Sequence, residues 1–213
     1  MKLLSIHRAS RARTVDLGRR LVETGIDKPE VPESRIDALG LVGDVIADRK
    51  HHGGLDQAVY VYSRADADWW QNEFGYRVPN GGFGENLVFD SFGGGPVRVG
   101  DRFVIGDVTL AATAPRVPCA IAVHHVGDGD FMRRFRNARR TGMYARVLSY
   151  GIVSPGMEVA YEPAPPTSPT LQDVFDAHYD TNTDRETLLR ILASPVAERA
   201  RIEYQRRLDR IAS

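Results

Sequence analysis

The run Val97-Arg98-Val99-Gly100-Asp101-Arg102-Phe103-Val104-Ile105-Gly106-Asp107-Val108-Thr109-Leu110 constrains the fold more than any other part of this chain. Short apolar stretches rich in β-branched residues alternate with two Gly-Asp pairs. A helix interior does not tolerate glycine at that frequency, whereas antiparallel strands joined by tight turns favour it. The same grammar recurs up to residue 162. Strands are predicted over 3–7, within 40–45, and over 58–62, 85–89, 143–148 and 157–162. Two helices are expected among them. One covers 64–74, with Trp69, Trp70 and Phe74 turned inward, and the other covers 128–140. So many short strands with glycine-rich turns predict a mainly β fold, a barrel or sandwich rather than a parallel α/β sheet.

The character changes at Pro163-Ala164-Pro165-Pro166-Thr167-Ser168-Pro169, which reads as a stiff, extended linker. It divides a domain over 1–162 from a C-terminal unit over 170–213. Three helices are predicted in that unit. The first covers 171–178. The second opens at Thr183, with Glu186 at the spacing of a capping box. The third takes Ser194 as its cap and Pro195 in its first turn, and runs to about residue 211. Such a bundle is marginal alone, so it is expected to dock on the first domain or on a partner.

The 28 basic and 28 acidic side chains balance to a net charge of +0. That argues against a general surface for nucleic-acid polymers. The N-terminal apolar run is too short for a signal peptide, and no stretch of about 18 apolar residues calls for a membrane span. A cytoplasmic setting is expected, since the chain of 213 residues has one cysteine and no disulfide framework. Arg133, Arg134, Arg136, Arg139 and Arg140 crowd one predicted helix. They read either as a solvated face or as an attractor for an anionic cofactor, substrate or acidic redox protein.

The lone cysteine stands in Ala114-Pro115-Arg116-Val117-Pro118-Cys119. Three readings are open: a small core residue, a reactive thiol, or a single soft ligand to a metal whose other ligands are not cysteines. Pro118 holds Val117 extended and so delivers Cys119 in a set direction. A short helix over 120–123 and the fixed charge of Arg116 would both favour thiolate. Lys50-His51-His52-Gly53-Gly54-Leu55-Asp56-Gln57-Ala58 is the densest polar cluster. Adjacent histidines point different ways in an extended chain, so they do not share one metal. Gly81-Gly82-Phe83-Gly84-Glu85-Asn86-Leu87 is either an anion cradle or a turn, and it lacks the ending of a P-loop.

Taken together, Thr24-Gly25-Ile26-Asp27-Lys28-Pro29, Gly43-Asp44, His52-Gly53-Gly54-Leu55-Asp56-Gln57-Ala58-Val59, Phe83-Gly84-Glu85-Asn86-Leu87, Gly100-Asp101 and Arg116-Val117-Pro118-Cys119 resemble the MOSC family. This is the molybdenum cofactor sulfurase C-terminal domain, and the likeness is to its stand-alone bacterial YiiM-like branch. The resemblance implies a MOSC-type β-barrel with a few short helices, followed by a three-helix unit. It also implies molybdenum cofactor, a pterin dithiolene carrying molybdenum and a phosphate; pyridoxal phosphate is not used. Cys119 would be the protein ligand to the metal, and Arg116 and Lys28 would balance the anionic cofactor. Thr24, His52 and Asn86 would hydrogen-bond it, and Arg146, in a late Tyr-x-Arg segment, is a further phosphate candidate. Lys50, Gly53 and Glu85 complete the expected binding set. One departure is visible: Ala120-Ile121-Ala122 is apolar where relatives often carry a basic residue.

The function expected by analogy with relatives is a molybdenum oxidoreductase that reduces N-hydroxylated compounds, such as hydroxylaminopurines or amidoximes. His52 would deliver a proton, since its reference pKa lies near neutrality. The chain has no Gly-x-Gly-x-x-Gly nicotinamide fingerprint and too few cysteines for a cluster. Electrons are therefore expected from a separate flavin or iron–sulfur reductase. Homodimerisation stays open. The alternative is a carrier, of persulfide sulfur on Cys119 or of the cofactor itself.

Overall fold

The computed structural model describes residues 1–18, 20–75 and 78–212, without the side chains of Phe74 and Ala212. The packing expected of Phe74 lies outside them. In chain order the strands and helices begin with β1 (Leu3–His7), β2 (Arg13–Asp16), β3 (Leu21–Thr24), β4 (Glu30–Val31), β5 (Ser34–Asp37) and β6 (Gly40–Leu41). A 3₁₀ turn at Leu55–Gln57 leads into β7 (Val59–Ser63), α1 (Arg64–Phe74) and β8 (Leu87–Phe89). Then come β9 (Arg102–Ile105), β10 (Val108–Ala114), α2 (Ala120–Val126), α3 (Phe131–Ala138), β11 (Met143–Ser149), β12 (Gly151–Val153) and β13 (Ala160–Glu162). The chain ends in α4 (Leu171–Tyr179), α5 (Arg185–Leu192) and α6 (Glu198–Ala212).

The Gly106-Asp107 pair turns the chain as its sequence predicts, setting Val108 opposite Ile105 and Leu110 opposite Phe103. The Gly100-Asp101 pair does something else. The stretch before it does not fold back on β9; instead Val99 N donates to the carbonyl of Pro169 and Leu171 N to that of Val97. The first part of the chain is thereby stitched to the start of the C-terminal helices.

Eight strands form one sheet in the order β13-β9-β10-β11-β7-β8-β1-β4. The expected mainly β barrel is corrected here. The fold is mixed α and β, and the sheet keeps two edges, β13 and β4, without closing among the described residues. Its start and end do approach: Leu3 N donates to Met157 O, and Val159 N to Met1 O. Among the described residues, only an isolated bridge between Lys2 and Glu158 joins them as strand pairing. The physical reason for the mixed class is the parallel pairing of β7 with β8. Parallel neighbours need a crossover, and α1 supplies it. The strand–helix–strand succession was present in the sequence but was outweighed by the number of short strands.

The predicted helix over 128–140 is α3, shorter at both ends, and α2 precedes it directly after Cys119. At the C-terminus, α4 opens with a capping box between Thr170 and Asp173. The cap of α5 is Asp184, one residue later than expected. The last helix starts at Glu198, not after Ser194. Ser194 Oγ donates to Ile191 O and closes the preceding helix, while the carboxylate of Asp56, far away in sequence, accepts Glu198 N at 2.7 Å. Leu171, Val174, Leu188, Ile191 and Tyr204 share one buried cluster with Phe103, Ile105 and Leu110 of the sheet. No described helix is long and apolar enough to cross a membrane.

Asp101 holds this junction. It is fully buried and accepts hydrogen bonds from Arg98 N at 2.7 Å, Ala164 N at 2.8 Å and the Tyr161 hydroxyl at 3.0 Å. Orphaning buried donors costs about 1–3 kcal/mol each. Asp101→Ala is therefore expected to destabilise the protein by roughly 3 kcal/mol or more in urea unfolding; a loss below about 1 kcal/mol would show that the junction is held elsewhere.

Candidate functional site

Strands β7 and β11 pair so that Tyr60 and Tyr144 stand opposite each other, with ring centroids 5.2 Å apart. The chain leaving β10 passes over these rings. Arg116 is buried, its guanidinium 4.8 Å above the Tyr60 ring and its Nη1 donating to the Tyr144 hydroxyl at 3.2 Å. Cys119 follows in extended conformation and caps α2 with its backbone, so its partly buried side chain faces the same cavity. This is the delivery that Pro118 and the short helix led one to expect.

The opposite wall is built on Asp44. Its carboxylate takes Lys28 Nζ at 2.6 Å, Ala9 N at 2.8 Å and Asn86 Nδ2 at 2.8 Å. Asn86 also accepts Tyr60 N at 3.1 Å, which locks β7 to the start of β8. The third wall is the loop before β7. There His52 Nδ1 lies 3.2 Å from the Tyr144 hydroxyl. Gly53 and Gly54 both hold positive φ, and a Cβ on Gly53 would meet Ile46 Cδ1 at 2.8 Å, so this bend needs glycine. The walls bound a cavity of about 80 Å³ that opens to solvent.

Of the residues expected at a site, Thr24, Lys28, His52, Gly53, Asn86, Arg116 and Cys119 all line this cavity. Lys50, Glu85 and Arg146 are not among its lining. Lys50 is exposed on the loop. Glu85 is buried and accepts Gly81 N and Phe83 N at 2.7 and 2.9 Å, so the glycine-rich loop is a turn whose amides serve its own carboxylate. Arg146 gives its fork to Asp56, at 2.8 and 2.6 Å. The arginine-rich segment is also internally engaged. Arg133 pairs with Asp130, Arg134 with Asp128, Arg139 with Asp176 and Arg140 with Asp66, and Arg136 stacks on Tyr179. Residues overlooked by sequence reasoning are Tyr60, Tyr144, Gln57 and, as the partner of Lys28, Asp44. Tyr60 and Tyr144 sit in apolar strands, where they read as core.

The electrostatics single out Arg116. Burial opposes its charge, but the Tyr144 and Tyr60 hydroxyls, Cys119 and Glu85 offset this and hold it protonated. Burial pushes the Lys28 ammonium down, and Asp44 pulls it back. Lys28 thus meets its counter-ion within the wall. Arg116 does not: none of the ion pairs among the described residues includes it. A desolvated guanidinium that touches no carboxylate, and feels Glu85 only at longer range, suits an anion. His52 is pushed down to about 4, by burial first and then by Arg116. In the free protein its imidazole is neutral at pH 7, unlike the near-neutral pKa expected from sequence.

Two outcomes follow. The unfolded chain binds a proton on His52 near pH 6.5 and the folded chain only near pH 4. Stability is therefore expected to rise with pH across that window and to fall as the pH drops through it. His52→Gln should flatten the pH dependence measured by urea unfolding; an unchanged slope would contradict the assignment. Arg116→Met should alter stability by less than about 1 kcal/mol, because it removes an uncompensated charge along with one hydrogen bond. The same variant should weaken binding of a polyanion such as pyrophosphate about tenfold or more, read by calorimetry.

The MOSC domain profile matches residues 48–160, more than half of the chain. Protein YiiM of Escherichia coli is 33% identical over 125 residues, 57% of this chain and 56% of that protein. A protein of Gibberella moniliformis named "Reductase" is 32% identical over 125 residues, 56% of this chain and 22% of that one. The chain thus matches about half of one relative's length and under a quarter of the other's. The crystal structure of YiiM from Geobacillus stearothermophilus superposes with a TM-score of 0.75 at 22% identity, covering 97% of this chain and 98% of that one. The fold is therefore shared across the large sheet and the C-terminal helices alike. By the profile match, with these relatives beside it, the chain belongs to the MOSC domain family, on its YiiM-like branch.

Proposed function

We propose that the cavity at Cys119 takes up molybdenum cofactor and that the loaded protein reduces small N-hydroxylated compounds, such as hydroxylaminopurines or amidoximes. Electrons come from a separate flavin or iron–sulfur reductase. The observation that carries this reading is the pairing, in one cavity, of a soft thiol with a buried guanidinium that makes no direct ion pair. The fit is chemical. No group of three or more His, Cys, Asp or Glu side chains among the described residues could hold a metal ion. A metal with a single protein thiolate must bring its other ligands with it, as a dithiolene cofactor does. Arg116 would hold the anionic part, Thr24 would hydrogen-bond it, and Asn86 and Asp44 keep Lys28 on the wall.

Bound there, the cofactor would supply two-electron redox chemistry for cleaving the N–O bond. The overall change is R–NHOH + 2 e⁻ + 2 H⁺ → R–NH₂ + H₂O, in which the N–O bond breaks and nitrogen is reduced. The protein supplies position and electrostatics. Ile46 and Ile121 give the cavity apolar faces against which a flat substrate lies. His52 and the Tyr144 hydroxyl form a two-group path for a proton from the loop to the cavity floor. An anion set against Arg116 cancels one of the causes that depress His52, and so returns the imidazole toward the range in which it can act as an acid. The fungal relative's name agrees with a reductive reaction. A sulfur-carrier reading draws on the Cys119 side chain, which makes no capping hydrogen bond and is partly exposed.

The test is composition and turnover together. Protein purified from cells that make the cofactor should carry stoichiometric molybdenum and pterin. It should reduce a hydroxylamine with an artificial electron donor, and Cys119→Ser should lower that activity by at least about a hundredfold. Loaded protein without turnover would overturn the reductase reading. Metal-free protein with labile sulfur on Cys119 would favour the carrier.

A further inference from the structure

The first turn of α6 grips both ends of the loop that forms one wall of the cavity. Arg199 Nη2 donates to the carbonyl of Arg49 at 2.9 Å, and its Nη1 to Oε1 of Gln57 at 2.8 Å. One planar guanidinium therefore spans the entry and the exit of the loop over 49–57. Beside it, Asp56 accepts the amide of Glu198 on Oδ2 at 2.7 Å and Arg146 Nη2 on Oδ1 at 2.6 Å. Asp56 thus ties the loop to β11 and to α6 at once. Leu55 in the loop is 58% exposed and both glycines hold positive φ, whereas Gly53 is buried against Ile46. Thr113 Oγ also donates to the Asp56 carbonyl, so the ties to α6 add to contacts that the loop makes with the sheet. His52, Gly53 and Gln57, which it carries, all line the cavity with Cys119.

We infer that Arg199 and Asp56 are positioning residues, and that the C-terminal helices complete the site by fixing the His52 loop beside Cys119. The part the cavity plays in catalysis rests on the reading above; the clamp does not. Arginine suits the task because its rigid fork serves two acceptors, whereas a lysine reaching one of them leaves the other unmet.

Cys119 is the only cysteine, so thiol labelling reports on this cavity alone. Full-length, cofactor-free protein would be labelled with neutral iodoacetamide and with anionic dithiobis(nitrobenzoate). Arg199→Ala should react about three- to tenfold faster with both reagents, because the loop opens locally while the fold persists. Arg199→Lys should fall between, and Arg206→Ala, on an exposed position of α6, should match the unaltered protein. If iodoacetamide reacts at the unaltered rate and only the anionic reagent slows, Arg199 acts as a charge and the clamp is overturned. Should Arg199→Ala fail to fold, Gln57→Ala removes one of the two ties and should still accelerate labelling. No acceleration there would also overturn the clamp. Neither result depends on whether the protein binds molybdenum.

Discussion

Arg116 carries its charge on the face of Tyr60 and against the Tyr144 hydroxyl, with no carboxylate in direct contact. Taking a guanidinium out of water costs several kcal/mol, and a desolvated cation–π contact returns about 2. A fold does not keep such a group as a stabilising device. Arg116 stays because strand pairing fixes the surface beneath it: Tyr144 is opposite Tyr60 on β7 and opposite Ala114, the last residue of β10. The chain that leaves β10 runs so that Arg116 lies over the Tyr60 ring, and Cys119 comes three residues later.

The remaining charges are arranged so that this one stays available. Lys28, the other cation in the cavity, is neutralised by Asp44, which Ala9 N and Asn86 hold in turn. Glu85, a buried acid that interacts with Arg116, is occupied by the amides of its own loop. Burial pushes the Glu85 carboxyl up, with the backbone bonds and Arg116 pulling the other way. His52 is held neutral. The sheet thus sets the floor, hydrogen-bonded hubs set the walls, and the site presents a cation and a soft nucleophile side by side. Preorganisation of this kind lowers the ordering cost of binding an anion there.

Much of this was legible from local chemistry. The Gly106-Asp107 hairpin, helix α1 and the exit of Cys119 before a short helix follow from glycine, proline and apolar spacing. What was not legible depends on partners remote in sequence. The start of α6 is chosen by Asp56 rather than by Ser194, because a carboxylate brought in by the fold caps it. Arg146 looked available to an anion, and the same Asp56 engages it. The glycine-rich loop at 81–84 offered two readings, and Glu85 decides for the turn. Of the two small sheets only β6 falls in a predicted strand, within 40–45; β2, β3, β5 and β12 went unpredicted, since strands of three or four residues are too short to show a period of two. Barrel closure is a long-range property that no local pattern specifies.

The central claim is that the Cys119 sulfur is a ligand to molybdenum in the loaded protein. X-ray absorption at the molybdenum edge of the purified holoprotein measures this directly, by counting sulfur neighbours of the metal. The account predicts one sulfur beyond those of the dithiolene, lost in Cys119→Ser protein that has been loaded to the same level. A sulfur shell that is identical in the two proteins would contradict it.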